Sequence, residues 1–167
     1  MSRFSARMSA LAFVAILASG CATGEAAQDR VPADDVLAAL GGEAPTVKVY
    51  KTPTCGCCAV WVEHMQEAGF EVEVEDTNDI AAVKAEAGLP PQLQSCHTSF
   101  IGDYAFEGHI PAQTIARFLA EKPDVKGLAV PGMPVGSPGM EMGDRVDPYD
   151  VLAWSEGGQT SVYESFR

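Results

Sequence analysis

The stretch that decides the fold is VKVYKTPTCGCCAVWVEHMQEA, residues 47–68. It opens with alternating valines, breaks at Thr-Pro-Thr, and continues through three cysteines into a segment with helical apolar spacing. The order strand, turn, thiols, helix places Cys55, Cys57 and Cys58 at the amino end of a helix. Unpaired backbone N–H groups and the positive end of the helix dipole favour a thiolate there. Such a thiolate can attack a disulfide or bind a soft metal.

The segments that follow complete an α/β pattern. Residues 70–75 alternate strictly, so we expect a strand whose Glu71, Glu73 and Glu75 face solvent. The overall order is β-α-β-α-β-β-α with thiols at the first strand–helix junction, which is the thioredoxin arrangement. We therefore predict an α/β, thioredoxin-like fold. The predicted strands are residues 47–51, 70–75, 99–101 and 104–107, and the predicted helices are residues 57–68, 79–87 and 112–121.

The C-terminal part, residues 126–167, is predicted to be an extension of this domain. Residues 127–143 hold five glycines, three prolines and three methionines, a composition that predicts a loop, neither helix nor central strand. Residues 149–154 and 159–163, separated by Glu-Gly-Gly, are predicted to form a terminal β-hairpin. The predicted metal-binding domain then spans residues 45–167.

The first 20 residues have the features of an export signal, with an arginine-bearing start and an apolar middle. They end in Leu-Ala-Ser-Gly before Cys21, which resembles a bacterial lipoprotein processing site, although Ala18 stands where a leucine is usual. This predicts a periplasmic protein that is lipidated on Cys21 and anchored to the outer membrane. The alternative is cleavage after Gly24, which would give a soluble periplasmic protein. Residues 21–44 are predicted to be a flexible tether, in which residues 34–40 form one or two helical turns before Gly41 and Gly42.

The charge balance argues against a nucleic-acid partner. The formal net charge is -12 and the isoelectric point is about 4.5, with no basic stripe in the sequence. Phosphate contacts need clustered lysine or arginine. We therefore expect no nucleic acid as partner, and contact with a membrane only through the lipid.

The cysteines outside the signal region form an even set of four. In an exported protein such a set is typical of disulfides. Cys55 and Cys58 have the C-x-x-C redox spacing at a helix start, while the adjacent Cys57 and Cys58 are poor partners for each other. Pairing Cys55 with Cys58 would leave Cys57 and Cys96 for a second bridge. Four cysteines allow three pairings, and the sequence alone does not choose.

Cys96 precedes the third predicted strand, in the loop that faces the C-x-x-C in the thioredoxin arrangement. That loop normally carries a cis-proline, whereas here it reads Ser-Cys-His-Thr. A fourth sulfur in this place predicts a compact all-sulfur pocket. Soft thiolates select Cu(I), zinc or iron–sulfur centres. Three crowded cysteines plus one fit zinc less well than copper, because crowded thiolates can bridge several Cu(I) ions, and the spacing fits iron–sulfur ligation poorly.

Four motifs together, TPTCGCC, SCHT, EGHIP and VPGMPVGSPGMEMG, resemble the periplasmic copper-resistance metal-binding family typified by CopG. The resemblance covers about residue 47 to the C-terminus. It implies a thioredoxin-like fold, cysteine-bound copper and a role in copper handling. By motif position it implies that Cys55, Cys57, Cys58 and Cys96 are the metal ligands.

Other side chains near these motifs are weaker candidates. His97, beside Cys96, is either an extra ligand, a donor to a ligand, or a histidine of a surface loop. We interpret His109 as structural and His64 as a residue of the helix surface. Trp61 is expected to cover the base of the site.

The three methionines of the C-terminal loop are further candidate ligands. Thioethers bind Cu(I) without losing a proton. The alternative is that they only pack against the domain. They are Met133, Met140 and Met142.

These observations favour an envelope protein that holds Cu(I), as a multinuclear thiolate cluster or otherwise. Its role in copper resistance would be sequestration, transfer or redox conversion, with copper ions and other envelope copper-handling proteins as partners. An alternative is a thiol–disulfide oxidoreductase in which Cys55 is the nucleophile and Cys58 resolves. A third is an inert module stapled by disulfides. The sequence leaves open whether the protein is an enzyme.

Overall fold

The computed structural model describes residues 33–167, which form a mixed α/β domain. The predicted signal peptide, the lipidation site Cys21 and the first part of the predicted tether lie outside the described residues. The helices are Ala33–Ala39 (α1), Gly56–Glu67 (α2), Ile80–Glu86 (α3) and Ala112–Glu121 (α4), with a short 3-10 helix at Pro91–Leu93. The strands are Thr46–Lys51 (β1), Glu71–Asp76 (β2), Thr98–Ile101 (β3), Tyr104–Glu107 (β4), Gly127–Ala129 (β5), Tyr149–Trp154 (β6) and Thr160–Phe166 (β7).

The described strands form one seven-stranded sheet in the order β2-β1-β3-β4-β5-β6-β7. β1 pairs with β2 in parallel and with β3 in antiparallel orientation. The carboxyl end of β1 therefore lies beside the amino end of β3. This pairing brings the turn that follows β1 and the loop that precedes β3 to the same edge of the sheet. The predicted α/β class is confirmed.

The sheet is packed on both faces. Successive residues of a strand point to opposite faces, and in β4 Ala105 and Phe106 belong to different clusters of buried side chains. Phe106 lies in the larger cluster, together with Trp61 of α2 and Phe118 of α4. Ala105 lies in the smaller cluster, with Trp154 of β6. Packing of Trp61 against the sheet and α4 thus fixes the position of α2, which carries the cysteines at its amino end.

The amino-terminal helix α1 belongs to the packed domain. Val36 is 1% exposed and lies in the larger core cluster. α1 packs against α4. The packed part of the chain therefore begins before residue 45, within the region predicted to be a tether.

The prediction that residues 127–143 contain no central strand is wrong at its start. Gly127–Ala129 forms β5, which lies between β4 and β6. A Cβ atom on Gly127 would lie 1.7 Å from the carbonyl oxygen of Ala105 and 2.8 Å from the ring of Trp154. Glycine is required here because the neighbouring strands leave no room for a side chain. A glycine inside a sheet can thus mark a close approach of backbone as well as a weak point of a strand. The predicted terminal hairpin is present as β6 and β7.

The remaining predicted elements form close to their predicted bounds. The side chain of Asp79 accepts a hydrogen bond from the backbone N–H of Ala82, at 3.3 Å, and so caps α3 as its sequence position indicates. The glutamates of β2 are exposed, as expected from the alternation. Between residues 33 and 167 the structure shows no helix both long and apolar enough to cross a membrane.

Gly127→Ala tests the close approach at β5. We expect the free energy of unfolding to fall by about 3 kcal/mol, because the added methyl group meets backbone and a buried indole that cannot move aside. The measurement is urea unfolding of the metal-free protein. Gly56→Ala is the control, since its Cβ position has no heavy atom within 4 Å. That variant should change the free energy by less than about 1 kcal/mol, and an equal loss in both variants would contradict the assignment.

Candidate metal centre

Three segments meet beyond the carboxyl end of β1. Cys55 is the N-cap residue of α2, and Cys57 and Cys58 lie in its first turn. Cys96 lies in the loop between the 3-10 helix and β3. The third segment is the loop between β5 and β6, residues 130–148, which we call the covering loop.

The structure brings the four sequence-predicted cysteines together. Their Sγ atoms all lie within 4.8 Å of one another. The sulfurs of Cys55 and Cys57 are 3.5 Å apart, as are those of Cys58 and Cys96. Cys58 is fully buried and the other three are half-buried. The sulfurs are thus close enough to share one metal ion or a small cluster, although their role as ligands stays a prediction.

The structure contains one of the disulfides left open by the sequence, and the second bridge of that pairing, Cys57–Cys96, is not formed. Cys55 and Cys58 form a disulfide, and Cys57 and Cys96 are free thiols. In this form two of the four sulfurs are already bonded to each other. Reduction of the disulfide is required before all four can act as thiolates.

His109, which we interpreted as structural, contacts the cysteine cluster. Its Nε2 lies 3.0 Å from the sulfur of Cys96, and its Nδ1 lies 2.8 Å from the carbonyl oxygen of Pro138. A carbonyl only accepts, so Nδ1 carries the proton and donates it. Nε2 is then bare, and accepts from the Cys96 thiol. A histidine whose other nitrogen is held by a carbonyl is typical of metal ligation. The signal in the sequence that could have identified His109 as a site residue was its position just after a predicted strand, in the EGHIP motif.

His97 is not a surface histidine. It is fully buried, and its Nδ1 lies 3.5 Å from the sulfur of Cys96. Its ring centre is 4.5 Å from that of Trp61 and 5.1 Å from that of His109. Its Nε2 is buried with no hydrogen-bond partner. Burial, with His109 as a second cause, lowers the pKa of His97 well below the usual value, so the ring is neutral.

Cys96 therefore joins two groups of candidate ligands. One is the set of four cysteines, and the other is Cys96 with His97 and His109, whose ligand atoms also lie within 4.8 Å of one another. Burial, followed by the neighbouring Cys57, raises the pKa of Cys96 to about 12. At neutral pH Cys96 is consequently a neutral thiol, and a metal ion that binds it must displace a proton.

The covering loop is held against the amino end of α2. Gly139 has a φ of +84°, and a Cβ atom there would lie 2.7 Å from the carbonyl oxygen of Cys57 and 2.9 Å from the backbone nitrogen of Trp61. Glu141 lies 2.7 Å from Nε2 of His64 on α2, and it accepts a hydrogen bond from the Gly139 N–H at 3.0 Å. The loop is thus fixed at both Gly139 and Glu141, and it shields the site from one side.

Two further sequence candidates take different places. The indole of Trp61 is fully buried, packs on His97, and donates from Nε1 to the carbonyl of Ile110 at 2.9 Å. It therefore supports the histidine side of the site. His64 lies on α2, where its side chain is 17% exposed and engaged with Glu141.

The three candidate methionines belong to the covering loop. Met133 and Met142 are 52% and 61% exposed, and Met140 is half-buried. The close contacts of Cys96 described above involve sulfur and imidazole nitrogen. Their role as ligands stays a prediction from the sequence.

The protein is thus an α/β domain with thiols and imidazoles grouped at one sheet edge, and these groups are the donors of a soft-metal site. Two solved structures match this chain, both described as copper resistance protein CopG. Form 2 is 43% identical, with a TM-score of 0.72, over 75% of this chain and 100% of that one. Form 1 is 44% identical, with a TM-score of 0.71, over 74% of this chain and 98% of that one.

Residues 93–140 match a family model described as a protein of unknown function, DUF411. No curated protein matches the chain. The identity and coverage of the solved structures show that the chain belongs to the CopG copper-resistance family.

The buried histidines predict a pH-dependent stability of the metal-free protein. The lowered pKa of His97 keeps the folded state unprotonated where the unfolded chain, with a histidine pKa near 6.5, binds a proton. The contribution of the neutral His97 to the free energy of unfolding is therefore fully present above about pH 6.5. It decreases as pH falls below that value, by up to about 1.4 kcal/mol per pH unit for one histidine. The lowered pKa of His109 acts in the same direction.

Urea unfolding at about pH 7, 6 and 5 measures this slope. In His97→Phe, which keeps a flat ring of similar size, we expect the slope to decrease by the contribution of one histidine. A slope that is the same in the variant would show that His97 is not the group that titrates.

Proposed function

We propose that this protein is a copper-binding protein of the bacterial envelope that takes up Cu(I) as cargo on Cys55, Cys57, Cys58 and Cys96. The observation that carries the proposal is the convergence of these four sulfurs within 4.8 Å. His109 is a fifth candidate ligand, because its bare Nε2 already contacts the sulfur of Cys96. The names of the solved relatives, copper resistance proteins, support copper as the metal.

The chemistry of the donor set favours Cu(I) over zinc. Zinc in structural sites takes four ligands in a closed tetrahedron, commonly from two separated pairs of residues. Here three of the four sulfurs come from one helix end and crowd together. Thiolates are the soft ligands that select Cu(I), and crowded thiolates can bridge several such ions. We therefore propose a multinuclear copper–thiolate cluster as the loaded form.

Loading requires the disulfide to open. Two electrons and two protons convert the Cys55–Cys58 bond into two thiols, and an external dithiol of the envelope, itself oxidised to a disulfide, is the class of reductant that supplies them. Cu(I) binding then replaces thiol protons, including the proton of Cys96 that burial retains. The positive charge of the metal offsets the cost of burying thiolates. Sequestration, transfer to a partner or redox conversion of copper are each compatible with this cycle.

The proposed function includes a fold type and a location in the cell. The order β2-β1-β3-β4, with α2 after β1 and α4 after β4, supports a thioredoxin-like unit to which β5, β6 and β7 are added. We propose a periplasmic location with an outer-membrane lipid anchor on Cys21, on the basis of the amino-terminal sequence. Other envelope copper-handling proteins are the proposed partners for transfer.

The four-sulfur pocket is tested by removing one sulfur from each of its two segments. In Cys57→Ser/Cys96→Ser we expect the number of bound Cu(I) ions to fall by half or more and the affinity to fall about a hundredfold, because hydroxyl groups are poor ligands for soft ions. Reduced protein is titrated anaerobically with Cu(I) against a chromogenic Cu(I) chelator, and the bound copper is counted by metal analysis.

Met65→Leu is the matched control, since it removes a buried sulfur of α2 that belongs to the core cluster. It should bind copper as the parent does. Undiminished copper binding in the double variant would show that the pocket is assigned wrongly. If the protein binds zinc tightly and copper does not displace it, the cargo is zinc and the assignment of copper is wrong.

A second candidate function is thiol–disulfide exchange, and the Cys55–Cys58 disulfide at the start of α2 favours it. Insulin reduction by metal-free protein in the presence of dithiothreitol measures this activity. We expect a rate close to that of dithiothreitol alone, because Cys96 stands in the loop where the thioredoxin arrangement has the cis-proline that shapes the substrate groove. Rapid turnover that is lost in Cys55→Ser would instead establish the oxidoreductase function.

A further inference from the structure

We propose that the buried pair of Lys84 and Glu107 is a positioning device for Cys96, which holds the loop carrying this thiol against the amino end of α2. The inference rests on the proposed copper function, to which it adds two residues whose hydrogen bonds go to each other and to Ser95 and Thr98. Lys84 lies on α3 and is 4% exposed, and Glu107 is the last residue of β4 and is fully buried. Neither is a cysteine or a histidine. Lys84 lies outside the motifs considered above, and Glu107 is the first residue of EGHIP.

Glu107 binds the chain on both sides of Cys96. One carboxylate oxygen accepts hydrogen bonds from the backbone N–H of Ser95 and from the ammonium group of Lys84. The other accepts from the hydroxyl of Thr98 at 2.6 Å. The hydroxyl of Thr98 in turn accepts from Lys84 at 3.2 Å. The segment between residues 95 and 98 is therefore tied at both ends to one carboxylate.

The same strand end brings the other partner of Cys96 into place. Gly108 follows Glu107, has a φ of +75°, and lies so close to Ser95 that a Cβ atom would be 2.5 Å from its hydroxyl oxygen. The next residue is His109, whose Nε2 contacts the sulfur of Cys96. Glu107 thus aligns the loop of Cys96 with the strand end that supplies the histidine.

A charged pair is not what stability alone would favour at this place. Moving two charges out of water is costly, and well-packed apolar residues often stabilise a fold as much or more. An apolar pair, however, has no acceptor for the N–H of Ser95, which would be left without its partner. What the carboxylate adds over an apolar side chain is therefore the fixed position of the residue that precedes Cys96.

Fixing this position matters because the sulfur of Cys96 reaches the cluster from a loop. It lies 3.5 Å from the sulfur of Cys58, whereas the other three cysteines share one helix end. If the segment between residues 95 and 98 were free to move, Cys96 would spend part of its time away from the others. The fraction of molecules that offer four sulfurs would fall, and the apparent affinity would fall with it.

Two double variants separate the hydrogen bond from the charge. Lys84→Met/Glu107→Gln removes both charges but keeps an amide oxygen that can accept from the Ser95 N–H. Lys84→Met/Glu107→Leu removes both charges and the acceptor. Neither leaves a single buried charge. As a matched control, Arg117→Met/Glu164→Leu removes a cation and carboxylate that join α4 to β7, where Glu164 accepts from the hydroxyl of Thr114 at 2.6 Å.

Two measurements are made on each protein, with its thermal midpoint recorded alongside. The first is hydrogen exchange of the Ser95 amide in metal-free protein, followed by NMR. The second is Cu(I) affinity of the reduced protein, by competition with a chromogenic chelator. We expect the leucine variant to exchange faster at Ser95 and to bind Cu(I) about ten- to a hundredfold more weakly than the glutamine variant at similar thermal midpoint. The Arg117/Glu164 control should match the parent in both.

The outcomes that would overturn the proposal are distinct from failure of the copper function. Unchanged exchange at Ser95 in the leucine variant would show that Glu107 does not hold this amide. Faster exchange with equal Cu(I) affinity in the two variants would show that the contact does not position a ligand. A parent protein that binds no Cu(I), with the exchange difference intact, would instead overturn the proposed function and, with it, the use we assign to the pair.

Discussion

The approach of Cys96 to the amino end of α2 is the contact on which the site depends. It is produced by strand order, because β3 pairs antiparallel with β1, so the loop before one and the turn after the other share a sheet edge. The sulfurs of Cys58 and Cys96 then lie 3.5 Å apart although 38 residues separate them. The covering loop shields the contact between these sulfurs, and the segment after β4 supplies His109. The strand pairing alone is what brings the two sulfurs together.

Electrostatics keeps the candidate ligands of the metal-free protein neutral, and a metal ion would bring a positive charge to them. Burial raises the pKa of Cys96 and lowers that of His97, so both groups are uncharged at neutral pH. A soft cation reverses the first effect, since it stabilises the thiolate, and is favoured by the second, since a neutral imidazole keeps a lone pair that can bind it. The same burial that disfavours a free thiolate thus favours a metal ion as the partner that completes the site.

The sequence predicts what is local and misses what is brought together over distance. Strict alternation identifies β2, and a glycine after each periodic run identifies the ends of α2 and α3, because these signals depend on neighbouring residues. The composition of residues 127–143 predicts a loop at Gly127, because only the pairing of β4, β5 and β6 shows that Ala105 needs a neighbour without a side chain. The sequence alone leads to a structural interpretation of His109, because the histidine contacts Pro138 and Cys96, neither of which is adjacent to it in sequence.

The two functional classes that the sequence left open are linked by the sulfurs that they share. Cys55 and Cys58 cannot be a disulfide and a pair of thiolate ligands at the same time. Any metal that binds only the reduced site must therefore stabilise the reduced form, and reduction must raise metal affinity by the same factor. In the proposed function, copper loading and thiol redox state are therefore linked, and Cys57 and Cys96 add two sulfur donors to the two that Cys55 and Cys58 supply after the disulfide opens.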